Sequence, residues 1–190
     1  MKDNLLSTSQ WAWEFLRRNP KYRSDWSQFH KGKRLALDQS FPLLRQKALD
    51  QEAAKWGLLA FEDPDTPSLR ALPFWAIGPI LEAEIIQHGD EALLPLLRKT
   101  GTRVSGLQLL GGALILTLEK NNQFLQLWLR DGRSFDETSN VVLRLPVNVA
   151  FPIQIARCLN FWNLITSKQA KKITALWERV TQSNSWPLTA

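Results

Sequence analysis

Few side chains in this 190-residue sequence have the types and spacing that catalysis or metal binding requires. Glu62, Asp63 and Asp65 form the densest group of carboxylates, which could bind a divalent cation or act as an acid and base pair. Prolines at positions 64 and 67 interleave this group, and that pattern favours a rigid surface turn. His30 and His88 have no second His or Cys at ligand spacing, so we expect no metal site and no cofactor.

Cys158 is the single cysteine, so an intramolecular disulfide is excluded. It lies near an apolar helical stripe, where a buried structural thiol is the favoured interpretation over a nucleophile. The sequence contains neither of the glycine-rich phosphate-binding motifs, G-x-x-x-x-G-K-[ST] and G-x-G-x-x-G. We therefore expect that the protein is not an enzyme, and an unrecognised active site is kept only as a third alternative.

Positive charge is concentrated at the two ends of the chain. The net charge of +6 divides into +4 for residues 1–40, −3 for 41–100, +1 for 101–150 and +4 for 151–190. Basic ends suit a polyanion, because neutralised phosphates release counterions, and the alternative is a well-solvated surface. The candidate DNA contacts are Arg17, Arg18, Lys21, Arg23, Lys31, Lys33, Arg34, Lys168, Lys171, Lys172 and Arg179.

The N-terminal part is predicted to be helical. A capping box of Ser7 and Gln10 begins a helix that ends before Asn19-Pro20. Helical spacing assigns Phe15 and Leu16 to its buried face, with Trp13 roughly opposite Phe15. For Arg17 and Arg18, the alternative to phosphate contact is a solvated position at the end of the helix, where their positive charge interacts favourably with the helix dipole. A second helix is predicted from Pro20, with Tyr22, Trp26 and Phe29 on one face. A third helix is predicted at 42–56, and two short helices are predicted at 81–87 and 91–99.

The central part changes to a period of two. Leucines alternate with other residues over 114–118 and again over 125–129, across a short polar loop at 120–123, which predicts a β-hairpin. A third strand is predicted at 141–145. Two helices follow, the first with Phe151, Ile155, Leu159 and Trp162 on its buried face and the second at 168–181 with Ile173, Leu176, Trp177 and Val180 inward.

These elements predict an α+β fold with an N-terminal helical domain, a small central antiparallel sheet and C-terminal helices. The predicted domains are residues 1–100, mostly helical, and 101–190, a hairpin plus helices. The N-terminal run MKDNLLSTSQ lacks the long apolar stretch of a signal peptide, and no run is long enough to span a bilayer. A cytoplasmic protein without membrane contact is therefore expected.

The N-terminal motif Trp11-Ala12-Trp13-Glu14-Phe15-Leu16-Arg17-Arg18-Asn19-Pro20, with Tyr22 and Asp25-Trp26, resembles the RovC-like and FseA-like proteobacterial transcription regulators. The resemblance continues in Ala54–Leu58, Phe61–Asp65 and Pro73–Trp75, and more loosely from the hairpin to Phe161-Trp162. It implies an activator of type VI secretion or conjugative-element genes that binds double-stranded DNA and self-associates, with a hexamer among the implied assemblies. After Phe161-Trp162 only the helix at 168–181 is predicted, so the helix-turn-helix-like helices of the family are expected to be missing.

Three hypotheses follow from the sequence. The first is a transcription activator that acts on promoter DNA as a homo-oligomer. The second is a protein-interaction or oligomerisation module, or an antiactivator, without direct DNA contact, since Trp and Arg are enriched at interface hot spots. Trp13 is the candidate interface residue, and the alternative for it is packing on the second helix of the same domain. The third is the enzyme with an unrecognised site.

Overall fold

The computed structural model describes residues 6–30, 33–35, 41–78, 80–86, 92–146 and 148–166. Helices and strands alternate irregularly along these residues, which makes the fold α+β. The helices are α1 Thr8–Arg17, α2 Pro20–Phe29, α3 Gln51–Ala54, α4 Leu93–Lys99 and α5 Phe151–Ile165. The strands are β1 Lys33–Leu35, β2 Leu43–Gln46, β3 Ile80–Ile86, β4 Arg103–Leu109, β5 Leu114–Lys120, β6 Gln123–Leu129 and β7 Asn140–Arg144.

The seven described strands form one mixed sheet in the order β1-β2-β4-β5-β6-β3-β7. The pairs β2–β4 and β3–β6 are parallel, and the other four pairs are antiparallel. Strands from the predicted N-terminal part therefore alternate in the sheet with strands from the predicted C-terminal part. The sheet therefore contains strands from both sides of the predicted domain boundary at residue 100.

The predicted hairpin is confirmed as β5 and β6. Asn121 and Asn122 both have positive φ, 49° and 65°, which is the backbone of a tight two-residue turn between twisted strands. The strand predicted at 141–145 is also confirmed, as β7, but it pairs with β3 rather than with the hairpin. The sheet is thus larger than the predicted hairpin and third strand, and it supplies most of the core.

Each face of the sheet has its own apolar layer. Leu116, Leu118, Leu125 and Leu127 point to one face, where α4 and α5 cover them. Ile115 and Leu107 point to the other face and pack with Leu44, Ala60 and Phe74. A third cluster, built on Trp13 and Tyr22, lies under α1 and α2.

Two helices predicted from the sequence are wrong. The region 42–56 contains β2 and only the single turn α3, because Leu43 and Leu44 are buried on opposite faces of the sheet and show no alternation. The region 81–87 is strand β3, in which Leu81, Ala83 and Ile85 contact the core. Its Glu82 and Glu84 have high helix propensity, but Glu82 pairs with Arg130, which directly follows β6, and Glu84 pairs with Arg144 of β7.

The buried face predicted for the helix at 151–165 is also wrong. Phe151, Ile155, Leu159 and Trp162 lie on the exposed side of α5. The side that contacts the sheet carries Gln154, Cys158, Phe161 and Leu164. Cys158 is half-buried, and burial raises the pKa of its thiol. The helix predicted at 168–181 lies outside the described residues.

Two glycines near the β4–β5 turn give a matched test of this packing. A Cβ at Gly132 would lie 2.1 Å from Leu114 Cβ and within 3.2 Å of the Leu114 backbone, whereas a Cβ at Gly111 would meet nothing within 4 Å. We expect Gly132→Ala to lower the free energy of unfolding by about 1–3 kcal/mol, because strand β5 must shift. Gly111→Ala should change it by less than about 0.5 kcal/mol. Equal urea midpoints for the two variants would contradict the contact.

Candidate functional site

The junction of α1 and α2 is fixed by side chains at both helix starts. Ser7 caps α1, where its Oγ accepts from the Gln10 amide at 3.1 Å and its own amide donates to Gln10 Oε1 at 2.9 Å, the predicted capping box. Asn19 caps α2, because its Oδ1 accepts from the amides of Lys21 and Tyr22. Pro20 takes the first position of α2, where its missing N–H costs nothing.

An aromatic cluster lies beneath this junction. Trp13 and Tyr22 are fully buried and meet edge to face, with ring centroids 5.7 Å apart. The Trp13 Nε1 donates to the Thr66 carbonyl at 2.8 Å. The Tyr22 hydroxyl donates to the Glu62 carbonyl at 2.6 Å and accepts from the Glu62 amide at 3.1 Å. The cluster therefore ties both helices to the acidic turn.

This burial corrects two predictions for α1. Trp13 is enclosed within the chain, so it is not available as an oligomer interface, and the alternative of packing on the second helix describes its contacts. Helical spacing predicts that Phe15 is buried, but Phe15 is exposed and stacks on exposed Trp11, with ring centroids 6.1 Å apart. The buried face of α1 is thus rotated toward Trp13 and Leu16.

Four predicted DNA contacts come together at this junction, and we call them the basic corner: Arg17, Arg18, Lys21 and Arg23. Glu14 accepts from Arg17 Nε at 2.9 Å and from Arg18 Nη2 at 2.8 Å. Arg23 Nη2 donates to Asp65 Oδ1 at 2.6 Å. Lys21 is exposed. The corner keeps a surplus of positive charge, but three of its cations already have a carboxylate partner.

The other predicted DNA contacts are not placed by the structure. Lys33 and Arg34 belong to strand β1, and their side chains are not described. The remaining candidates lie outside the described residues: Lys31, Lys168, Lys171, Lys172 and Arg179.

The acidic residues 62–65 form the predicted turn. Glu62 is buried, Asp63 Oδ1 accepts from the Asp65 amide at 2.9 Å, and Asp65 pairs with Arg23. The carboxylate of Asp63 thus stabilises the turn, and that of Asp65 pairs with the basic corner. Across the part of the chain that the structure describes, no three His, Cys, Asp or Glu side chains lie together in a way that could hold a metal ion.

A second surface, which the sequence does not predict, is apolar. A groove of about 780 Å³ runs between α1 and α5 across the hairpin turn. Ala12 of α1 and Ala156 and Leu159 of α5 line it, together with Ile77. Trp11 and Phe15 of α1 are exposed as well. The sequences of α1 and α5 carry apolar residues on more than one side of each helix. Helical periodicity alone does not show which of these sides packs against the sheet.

Residues 2–59 match a family described as the proteobacterial transcriptional regulator-like domain. The match spans less than a third of the chain and includes α1, α2, β1, β2 and α3. This similarity supports a bacterial regulator family at a coarse level and indicates a regulatory role in transcription. No curated protein matches the chain. None of the described helices is both long and apolar enough to cross a bilayer.

The carboxylate that balances the basic corner gives a pH prediction. The hydrogen bond from Arg17 lowers the pKa of Glu14 from 4.5 to about 2, against the opposing effect of burial. Because the folded-state pKa is below the unfolded one, this stabilisation is complete above pH 4.5 and is lost as the pH falls through 2. Glu14→Gln should therefore lower the free energy of unfolding by about 1–3 kcal/mol at pH 7.

Urea titrations at pH 7, 4.5 and 2.5 measure this effect. The difference between the parent and Glu14→Gln should shrink as the pH falls and be smallest at pH 2.5, just above the folded-state pKa of about 2. Glu137→Gln is the control, since its ion pair with Arg98 is half-exposed and should contribute less than about 1 kcal/mol at any pH. A constant difference between parent and Glu14→Gln across the range would contradict the assignment.

Proposed function

We propose that this protein is a transcription regulator of the activator type that acts on promoter DNA in the cytoplasm as a homo-oligomer. The observation that carries the proposal is the similarity of residues 2–59 to the proteobacterial regulator-like domain. The finer resemblance to RovC-like and FseA-like regulators extends it to genes of type VI secretion or of conjugative elements. No catalytic role forms part of the proposal.

The charge distribution supports contact with DNA. The two ends of the chain each carry a net charge of +4, and the basic corner gathers four cations of the N-terminal end on one junction. Phosphate contacts of this kind hold a protein on the duplex without reading its sequence. Since Arg17, Arg18 and Arg23 are already paired with carboxylates, Lys21 and the lysines of the C-terminal end carry most of the proposed phosphate contact.

A protein-interaction module is the second candidate function. The observation that favours it is the apolar surface on α1 and α5, where Phe15 and Phe151 are mostly exposed. Exposed apolar patches of this kind mark sites where another polypeptide packs. On this hypothesis the protein controls transcription through a partner regulator and does not touch DNA.

A gel-shift titration against the DNA upstream of the protein's own gene, at two salt concentrations, separates the two functions. The parent should retard the DNA at low salt, and the triple variant Lys168→Gln, Lys171→Gln, Lys172→Gln should bind at least about tenfold more weakly with a shallower salt slope. Arg133→Gln removes one exposed positive charge, which pairs with Asp131 near the β4–β5 turn, and should bind like the parent.

The parent result decides between the candidates. Absence of retardation at low salt contradicts direct DNA binding and leaves the interaction module. Light scattering on the same samples reports the assembly, and a monomeric mass at all concentrations contradicts the homo-oligomer.

A further inference from the structure

Trp11 and Phe15 form an exposed aromatic pair on α1. Trp11 is 49% exposed and Phe15 is 74% exposed, and their rings stack with centroids 6.1 Å apart and planes inclined by 30°. The apolar contacts that hold α1 on the rest of the chain come from Trp13 and Leu16 instead. The two exposed rings therefore have no role in the core, and their contact with water is unfavourable until a ligand covers them.

Arg18 continues this side of α1 beyond the two rings. Positions 11, 15 and 18 follow the i, i+4 and i+7 spacing of one helix side, and Arg18 keeps helical backbone angles as the C-cap of α1. The Arg18 side chain is 71% exposed. Its partner Glu14 also accepts from Arg17, so one carboxylate serves two guanidinium groups. Net positive charge therefore borders the aromatic pair.

A matching ligand offers flat apolar surfaces next to negative charge, and nucleotides have both. A base stacks on an aromatic ring, and the neighbouring phosphate binds a guanidinium group. In a duplex the faces of the bases are covered by the adjacent base pairs, whereas the bases of a single strand are open to stacking. The surplus positive charge of the basic corner favours such a polyanion over a neutral apolar partner.

We propose that Trp11, Phe15 and Arg18 form a stacking platform for single-stranded DNA. Unpaired bases stack on the two rings, and phosphates of the same strand bind Arg18 and exposed Lys21. A base held between two parallel rings needs twice the stacking distance, about 6.8 Å. Because the rings are 6.1 Å apart and inclined, the bases stack on the outward side of the pair. The platform goes beyond the proposed function, which is contact with duplex promoter DNA.

Fluorescence anisotropy of a labelled oligothymidine of about twelve nucleotides, titrated with the full chain, tests the platform. Thymine runs do not pair with themselves, so this probe stays single-stranded. The parent should bind it, and Phe15→Ala should bind about fivefold more weakly or worse, because a base loses its stacking partner. Trp11→Ala should have the same effect for the same reason.

Two control variants accompany the titration. Phe15→Trp keeps an aromatic ring at this position and should bind within about twofold of the parent. Leu110→Ala is the matched control for the loss of an exposed apolar side chain, because Leu110 is 78% exposed on the β4–β5 turn. It should bind the oligothymidine like the parent.

The salt dependence of binding separates stacking from charge. Arg18→Gln should give a shallower dependence of affinity on salt, because a phosphate contact releases counterions. Phe15→Ala should lower the affinity at every salt concentration and leave the salt slope unchanged, since a stacked ring releases none. Both side chains are mostly exposed, so the thermal unfolding midpoints of the two variants should match that of the parent.

Two results would overturn the platform. One is absence of oligothymidine binding by the parent at low salt. If light scattering then shows Phe15→Ala at half the mass of the parent, a second copy of the chain is what covers the rings. The other is equal binding by the parent, Phe15→Ala and Trp11→Ala, which would leave charge as the whole cause of binding.

The platform and the proposed function can fail separately. Oligothymidine binding that depends on Phe15, without retardation of the promoter duplex, would support the platform and contradict the proposed function. Retardation of the duplex, together with oligothymidine binding that Phe15→Ala does not change, would support the proposed function and contradict the platform.

Discussion

The carboxylate of Glu119 is the constraint on which the arrangement of the helices and the sheet depends. It lies on β5, is buried, and accepts from Ser7 Oγ at 2.8 Å and from Arg103 Nη1 at 2.8 Å. Ser7 is the residue that caps α1, and Arg103 also donates to the carbonyls of Arg70 and Ala71. A buried carboxylate without such donors would be strongly destabilising, so the sheet, the start of α1 and the 70–71 loop must come together as a unit.

This position of α1 creates the apolar groove and the basic corner, on which the proposed functions depend. With its start held at the end of β5, α1 lies across the hairpin turn from α5, and the apolar groove is the space between them. The far end of α1 meets α2 over the Trp13–Tyr22 cluster and presents the basic corner. The region that matches the regulator-like family also contributes β1 and β2 to the sheet. The basic corner and the apolar groove are therefore parts of the same folded unit.

The sequence predicted the elements whose signals are local. The capping box at Ser7, the break at Asn19-Pro20 and the β5–β6 hairpin all depend on residues a few positions apart, and all three are confirmed. Strand β2 could not be predicted, because Leu43 and Leu44 are buried on opposite faces by partners distant in sequence. Strand β3 could not be predicted either, because Glu82 and Glu84 have high helix propensity and the arginines that pair with them are distant in sequence. Of the candidate site, the sequence provided Arg17, Arg18, Lys21 and Arg23 among its candidate DNA contacts, but it predicted neither their acidic partners nor the exposed side of α5.

Residue-resolved hydrogen exchange in α1, α2, β5 and β6 tests the role of Glu119 most directly. In the parent, the slowest amides of α1 and α2 should open with the same free energy as those of β5 and β6, because one cooperative unit contains both. In Glu119→Gln, the helices should open separately and at a lower free energy than the strands. Helices that already open independently in the parent, with no change in Glu119→Gln, would contradict the account.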